Sequence, residues 1–228
     1  MKIRLCHYGL SATVLLAALL QVPVARGEAT VFITPDLPTV QVLNDGKPVT
    51  IERNPDTDNM VDPDFSLTSR PCPPYCIQPM NLPGGVETLG ELELIAYLQR
   101  VGRDDSVLVI DSRDGDWPLR SGVIPGAVVI PWQQLHPAHT SASGIADLLM
   151  LRFDAVRQEG LWNFENARTL VFYCNGPWCG QSPTNIKQLM ALGYPAQKLK
   201  WYRGGMQAWK VLGLATVPPA SLSTSPTP

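Results

Sequence analysis

The sequence predicts an α/β fold, with a mostly parallel central sheet flanked by helices and an irregular N-terminal arm. Three observations predict it. Residues 107–110 (VLVI), 127–130 (AVVI) and 170–173 (LVFY) are apolar at every position, as strands buried on both faces of a parallel sheet must be. Segments with apolar residues at helical spacing lie before, between and after these runs. Strand and helix thus alternate, which is the signature of a sheet covered by its own crossover helices.

In chain order, residues 31–34 (VFIT) and 39–43 (TVQVL) read as short strands. Asn44-Asp45-Gly46-Lys47 is a turn that closes a hairpin onto Val49-Thr50-Ile51. Residues 54–85 are rich in Pro, Asp and Asn without periodicity, and form an arm pinned at Cys72 and Cys76 rather than a second globular domain. Thr88 and Glu91 match a capping box, opening a helix with Leu92, Ile95, Ala96 and Leu98 on one face. Residues 144–158 carry a stripe of Ile145, Leu148, Leu149, Phe153 and Val156, closed by Gly160. Ser182-Pro183 reads as a cap and first helical residue of a helix that runs through Leu192 and stops at Gly193. A strand at 199–202 and a helix at 206–212 complete the core. After Thr216 the chain has nothing to bury and is expected to be a disordered tail, 217–228.

The chain has 228 residues, 45% of them hydrophobic and 17% charged, enough apolar material for one ordinary core. Eighteen basic against 20 acidic side chains, with no basic run, argue against a nucleic-acid partner. Lys2 and Arg4, the apolar stretch at 10–20 and Ala25-Arg26-Gly27 read as a signal peptide of residues 1–27, too short for a comfortable membrane span. Its removal would take three basic residues and Cys6, leaving 15 basic against 20 acidic and four cysteines in two close pairs. The mature protein is then expected to be periplasmic or secreted, free of the membrane, in a compartment that permits disulfides.

Cys174 stands immediately after the buried strand 170–173, where open α/β sheets place their ligands. The loop Asn175-Gly176-Pro177-Trp178-Cys179-Gly180-Gln181-Ser182 follows, and its two glycines let several amides and a helix N-terminus face one sulfur. Such a nest stabilises a thiolate, or a persulfide made from it. A buried inert cysteine at a strand end is the structural alternative.

Val109-Ile110-Asp111-Ser112-Arg113, Ser121-Gly122-Val123-Ile124-Pro125-Gly126, Cys174 in its loop, and Arg203-Gly204-Gly205-Met206-Gln207-Ala208-Trp209 resemble the rhodanese family in order and spacing. The resemblance covers residues 87–216 and leaves 28–86 as the arm. It implies the three-layer rhodanese-like fold and a sulfurtransferase of the thiosulfate type. In that chemistry Cys174 takes sulfane sulfur from a small donor such as thiosulfate, holds it as a persulfide, and passes it to a thiol or cyanide. The six residues Cys174 to Cys179 suit sulfurtransferases; phosphatase relatives have one residue more and a closing arginine, and this chain has neither. No cofactor, metal or protein partner is implied.

The chain also departs from the pattern. Val123 replaces a frequent histidine that is not the nucleophile, and Cys179 stands where Arg or Thr is usual. Without that guanidinium thiosulfate is expected to be a poor donor. Cys179 could instead attack an oxidised Cys174, making the protein a periplasmic thiol–disulfide oxidoreductase, or be a small apolar filler. A non-catalytic binding module of the same fold is a third reading. Pro177 and Trp178 are bulkier than usual, as substrate contacts or as a plain lid. Asp111 and Arg113 are expected to form a structural ion pair, with substrate binding by Arg113 the alternative. Arg203 lines the pocket mouth or sits in solvent. Cys72-Pro73-Pro74-Tyr75-Cys76 is expected to form a disulfide, ahead of a reactive dithiol or a zinc site, since neither cysteine pair has the usual two-residue gap.

Overall fold

The computed structural model describes residues 30–219, so the stretch 1–27 expected to be a signal peptide and the end of the expected tail lie outside the described residues. The hairpin forms as expected, with β1 (Val40–Asn44) antiparallel to β2 (Lys47–Ile51). Asp45 and Gly46 both adopt positive φ (50° and 73°), the backbone that a two-residue turn of this hand requires. The strand expected at 31–34 does not form; only an isolated bridge joins Thr34 to Leu37. Pro35 and Pro38 interrupt that stretch, and a proline has no amide to give to a ladder. The arm contributes one short α-helix, α1 (Pro63–Ser66), and a single 3₁₀ turn, Pro83–Gly85.

The centre is a five-stranded, wholly parallel sheet in the order β3-β9-β8-β4-β5. Its strands are β3 (Glu87–Leu89), β4 (Val107–Asp111), β5 (Val128–Val129), β8 (Thr169–Tyr173) and β9 (Leu199–Tyr202). Helices cover both faces: α2 (Glu91–Leu98), α3 (Trp117–Ser121), α4 (Ala142–Phe153), α5 (Gln181–Ala191) and α6 (Gly205–Val211). A separate antiparallel pair, β6 (Val156–Gln158) and β7 (Leu161–Asn163), projects beyond α4.

Alternate residues of each strand enter different cores, because successive side chains point to opposite faces. Leu108, Ile110, Leu170, Phe172, Leu199 and Trp201 join Leu149 and Phe153 of α4 and Ile186 and Leu189 of α5. Val109, Val171, Tyr173 and Tyr202 join Leu94 and Leu98 of α2, Met206 and Trp209 of α6, and the hairpin residues Val40, Val42 and Ile51. Each such side chain, fully buried, stabilises the fold by about 1.5–3 kcal/mol over leaving it exposed. The segment read as an arm is therefore part of the second core, with Phe65 of α1 buried in it as well.

Three boundaries differ from expectation. Thr88 lies in β3 and its hydroxyl donates to the Met80 carbonyl, so it caps nothing. The cap is Gly90, whose amide donates to the Glu93 carboxylate; a glycine supplies only this half of the box. Helix α4 stops at Phe153 because Asp154 turns left-handed (φ 55°), and Val156 leaves the predicted stripe for an exposed strand. Gly160 accordingly turns the β6–β7 hairpin instead of closing a helix. At the C-terminus Val217 is not tail: it bridges Val123 through two backbone hydrogen bonds of 2.8 and 3.0 Å.

Candidate active site

Strand β8 is buried at four of its five residues and delivers Cys174 to the carboxyl end of the sheet, 2% exposed. The chain then curls, the Cys179 amide donating to the Gly176 carbonyl at 2.9 Å. The start of α6 braces this curl from behind. Met206 and Gln207 donate their amides to the carbonyls of Cys174 (3.0 Å) and Asn175 (2.9 Å). Gly205 sits so close that a Cβ there would stand 2.4 Å from the Cys174 oxygen and 2.8 Å from the Gly176 nitrogen. With the carbonyls of Cys174 and Asn175 engaged behind, the amides of Gly176 and Ser182 remain to favour a charged sulfur.

Helix α5 begins two residues earlier than its sequence suggests. Gly180, not Ser182, is the cap, and Pro183 falls in the first turn, where an amide has no intrahelical partner to lose. The consequence is chemical. The buried Ser182 hydroxyl has no hydrogen-bond partner of its own and is one of the groups that lower the Cys174 titration.

Burial pushes the Cys174 thiol up, but hydrogen bonds from the Cys179 thiol, from the Ser182 amide and hydroxyl, and from the Gly176 amide outweigh it and hold it below the ordinary thiol range. As a thiol, Cys174 donates to the Cys179 carbonyl at 3.4 Å. Cys179 moves the other way. Burial and the neighbouring Cys174 sulfur keep it well above the ordinary range, and its Sγ reaches Gln181 Oε1 at 3.5 Å. The two thiols are free and unequal: the Cys174 titration is shifted down and that of Cys179 up.

Asp111 and Arg113 form a fully buried pair, with Nε and Nη2 of Arg113 2.8 and 2.5 Å from the two carboxylate oxygens. The remaining guanidinium donors go to the Ser121 hydroxyl and the Gly122 carbonyl, each at 2.7 Å. Every donor direction faces the interior, which makes Arg113 a brace of the loop that leads to β5. Arg203 is neither at the pocket mouth nor free in solvent. It donates to the carbonyls of Pro79 (3.0 Å) and Gln78 (2.9 Å) and so clasps the arm to the core.

The clasped segment reaches the Cys174 loop. Gln78 donates its amide to the Pro177 carbonyl at 2.8 Å, and Tyr75 meets Trp178 edge-on at 5.4 Å. Cys72 and Cys76 are paired as a disulfide on either side of Tyr75, with Cα atoms 4.7 Å apart. Trp178 is further held by Gln207 Oε1, 2.7 Å from its Nε1, and by the Arg70 guanidinium 4.0 Å from a ring centroid.

Against the loop lies a cleft of about 390 Å³, walled by Tyr75, Trp117, Trp132 and Trp178, with Asn175, Cys179, Gly180 and Gln181 contributed by the loop. Asp114 stands in its wall and accepts from Trp132 Nε1 (3.0 Å), Gln133 Nε2 (2.7 Å) and Gln181 Nε2 (2.6 Å). A larger hollow of about 920 Å³ between residues 30–35, 53–61 and the end of α6 has no cysteine or histidine in its wall. The smaller cleft is the one with chemistry. Asp114, Trp117 and Trp132 carry no motif of their own; only the position of Asp114, just past the carboxyl end of β4, marks it in the sequence. Among the described residues no group of three His, Cys, Asp or Glu converges as a metal site, and no helix is long and apolar enough to cross a membrane.

A family profile described as a rhodanese-like domain matches residues 95–212. No curated protein matches the chain. Among solved structures, a protein of unknown function from Rhodopseudomonas palustris, described as a possible tyrosine phosphatase, is 26% identical, covering 58% of this chain and 85% of its own, with a TM-score of 0.41. A human single-domain sulfurtransferase is 23% identical over 56% of this chain and 97% of its own, with a TM-score of 0.37. An As–Sb reductase from Leishmania major is 20% identical over 55% and 78%, with a TM-score of 0.36.

Proposed function

The chain belongs to the rhodanese-like domain family, and from that premise we propose that it is a sulfurtransferase with Cys174 as the nucleophile. One observation carries the proposal: a buried cysteine at the end of β8 whose titration is lowered by a ring of loop donors. In the first half-reaction the Cys174 thiolate attacks the outer sulfur of a donor RS–S⁻; the Cys174–sulfur bond forms, the donor's S–S bond breaks, and RS⁻ leaves. For thiosulfate the leaving group is sulfite. In the second, an acceptor thiolate attacks the outer sulfur of the Cys174 persulfide, and Cys174 leaves as the stabilised thiolate. A lowered thiol pKa assists both steps, by populating the attacking anion and by making it a better leaving group.

The oxidoreductase alternative needs Cys179 as a thiolate, and its surroundings favour the thiol instead. A persulfide-type donor is favoured over thiosulfate, since the only charged residue in the cleft wall is Asp114. We further propose that residues 1–27 direct export, that the mature enzyme works in the periplasm or outside the cell, and that 28–86 serve residues 87–216 as a clasp over the site.

Mass spectrometry of the purified protein after treatment with a persulfide donor should show the mass of one added sulfur on Cys174, absent in Cys174→Ser. If no donor of either type gives this adduct, the sulfurtransferase reading fails.

A further inference from the structure

We infer that the cleft against the loop that follows Cys174, lined by Asn175 and Cys179, selects sulfur substrates bearing a cationic ammonium group, with Asp114 and the surrounding aromatic rings as the determinants of that selectivity. The inference rests on the sulfurtransferase reading and concerns which substrates that site accepts.

Four aromatic rings from four separate segments wall the cleft: Tyr75 from the arm, Trp117 from α3, Trp132 from the turn after β5, and Trp178 from the loop itself. Ring faces are electron-rich and attract cations. Three of these rings already do so, Trp178 and Tyr75 towards Arg70 at 4.0 and 5.7 Å and Trp117 towards Arg120 at 4.7 Å. Neither guanidinium lines the cleft, and no lysine or arginine does. Asp114 accepts hydrogen bonds from three neutral groups, one of them an indole of the cleft wall, and no cation pairs with it among the described residues. Those bonds fix the carboxylate without cancelling its charge. An anion entering here meets a fixed negative group and no lysine or arginine in the lining, whereas an ammonium meets the carboxylate and the rings together.

The test loads Cys174 with one sulfur and offers acceptor thiols of matched size: cysteamine, mercaptoethanol and mercaptopropionate, with rates compared per thiolate. The expected kcat/KM order is cationic over neutral over anionic, with roughly tenfold between the extremes. Asp114→Asn should bring that ratio towards unity while the far- and near-ultraviolet circular dichroism stays native. A second arm needs no variant and no turnover. Tryptophan fluorescence of the unmodified protein should respond saturably to tetramethylammonium and not to acetate at equal ionic strength. A flat or reversed acceptor order, or the absence of a saturable tetramethylammonium response, would overturn the inference. Failure of Cys174 to accept sulfur at all would instead overturn the proposed function, and the fluorescence titration would still decide the charge preference of the cleft.

Discussion

Replacing Cys179 by alanine removes the first of the hydrogen bonds that hold Cys174 below the ordinary thiol range. A hydrogen bond to a charged group is worth about 1.5–3 kcal/mol, and the weak S–H donor belongs at the lower end. A loss of about 1.4 kcal/mol corresponds to roughly tenfold less thiolate at any pH below the titration. The thiolate that remains is more basic and more nucleophilic, which recovers about half of that loss on a logarithmic scale. Iodoacetamide should therefore alkylate Cys174 about threefold more slowly in Cys179→Ala at mildly acidic pH, converging with the wild type or overtaking it in alkali. The sign follows from the direction of the shift: a lowered titration means the wild-type rate rises at a lower pH, and the variant's profile moves upwards. Cys179→Ser keeps a donor and should stay within about twofold of the wild type. The assay is peptide-resolved mass spectrometry of Cys174 alkylation across pH, paired with sulfur transfer to a thiol acceptor. Unchanged profiles in both variants would refute the donor role. Equal loss of turnover in both, with alkylation intact, would instead make Cys179 a resolving thiol.

Other parts of the site make separate predictions. Gly205→Ala places a methyl group 2.4 Å from the Cys174 carbonyl at a positive φ of 56°, and should cost roughly 1–3 kcal/mol or more, lowering Tm and abolishing sulfur loading together. A folded, active Gly205→Ala protein would contradict the bracing role of α6. Arg113→Met leaves the Asp111 carboxylate buried and unpaired, with an expected loss of about 3–5 kcal/mol in a urea titration. A small effect there, with activity lost, would show that Arg113 serves substrate after all. Reducing the Cys72–Cys76 bridge should cost only about 2 kcal/mol, because the loop it closes is short. The visible effect should be local, as a change in Trp178 emission, since Tyr75 packs on that ring.

The sheet was readable because its central strands carry unbroken four-residue apolar runs, 107–110 and 170–173, as strands buried on both faces require. Helix starts were less so. Thr88 and Ser182 satisfy the local rules for caps, yet in each helix the cap is a nearby glycine, Gly90 or Gly180, chosen by where the strand or loop must release the chain. The Cys174 loop was legible as a unit, since its glycines and its place between strand and helix are local features. Its surroundings were not. Tyr75 and Trp178 meet across more than a hundred residues, and Arg203 finds two backbone carbonyls, groups that every residue carries and no motif announces. Val123 and Val217 pair across a similar gap, so a segment with no apolar pattern of its own is ordered by the edge it meets.

The hairpin at Val40–Ile51 has a consequence for inheritance and engineering. The family resemblance spans residues 95–212, but Val40, Val42, Ile51 and Phe65 form the outer wall of the core beneath α2 and α6, and β3 supplies the outermost strand beside β9. A fragment trimmed to the recognised span would lose that wall and bare a sheet edge, inviting self-association. The smallest piece that can be transplanted, fused or duplicated is thus larger than the piece that similarity reveals. The segment before the recognised span and the span itself share one core, so they fold and travel as one unit.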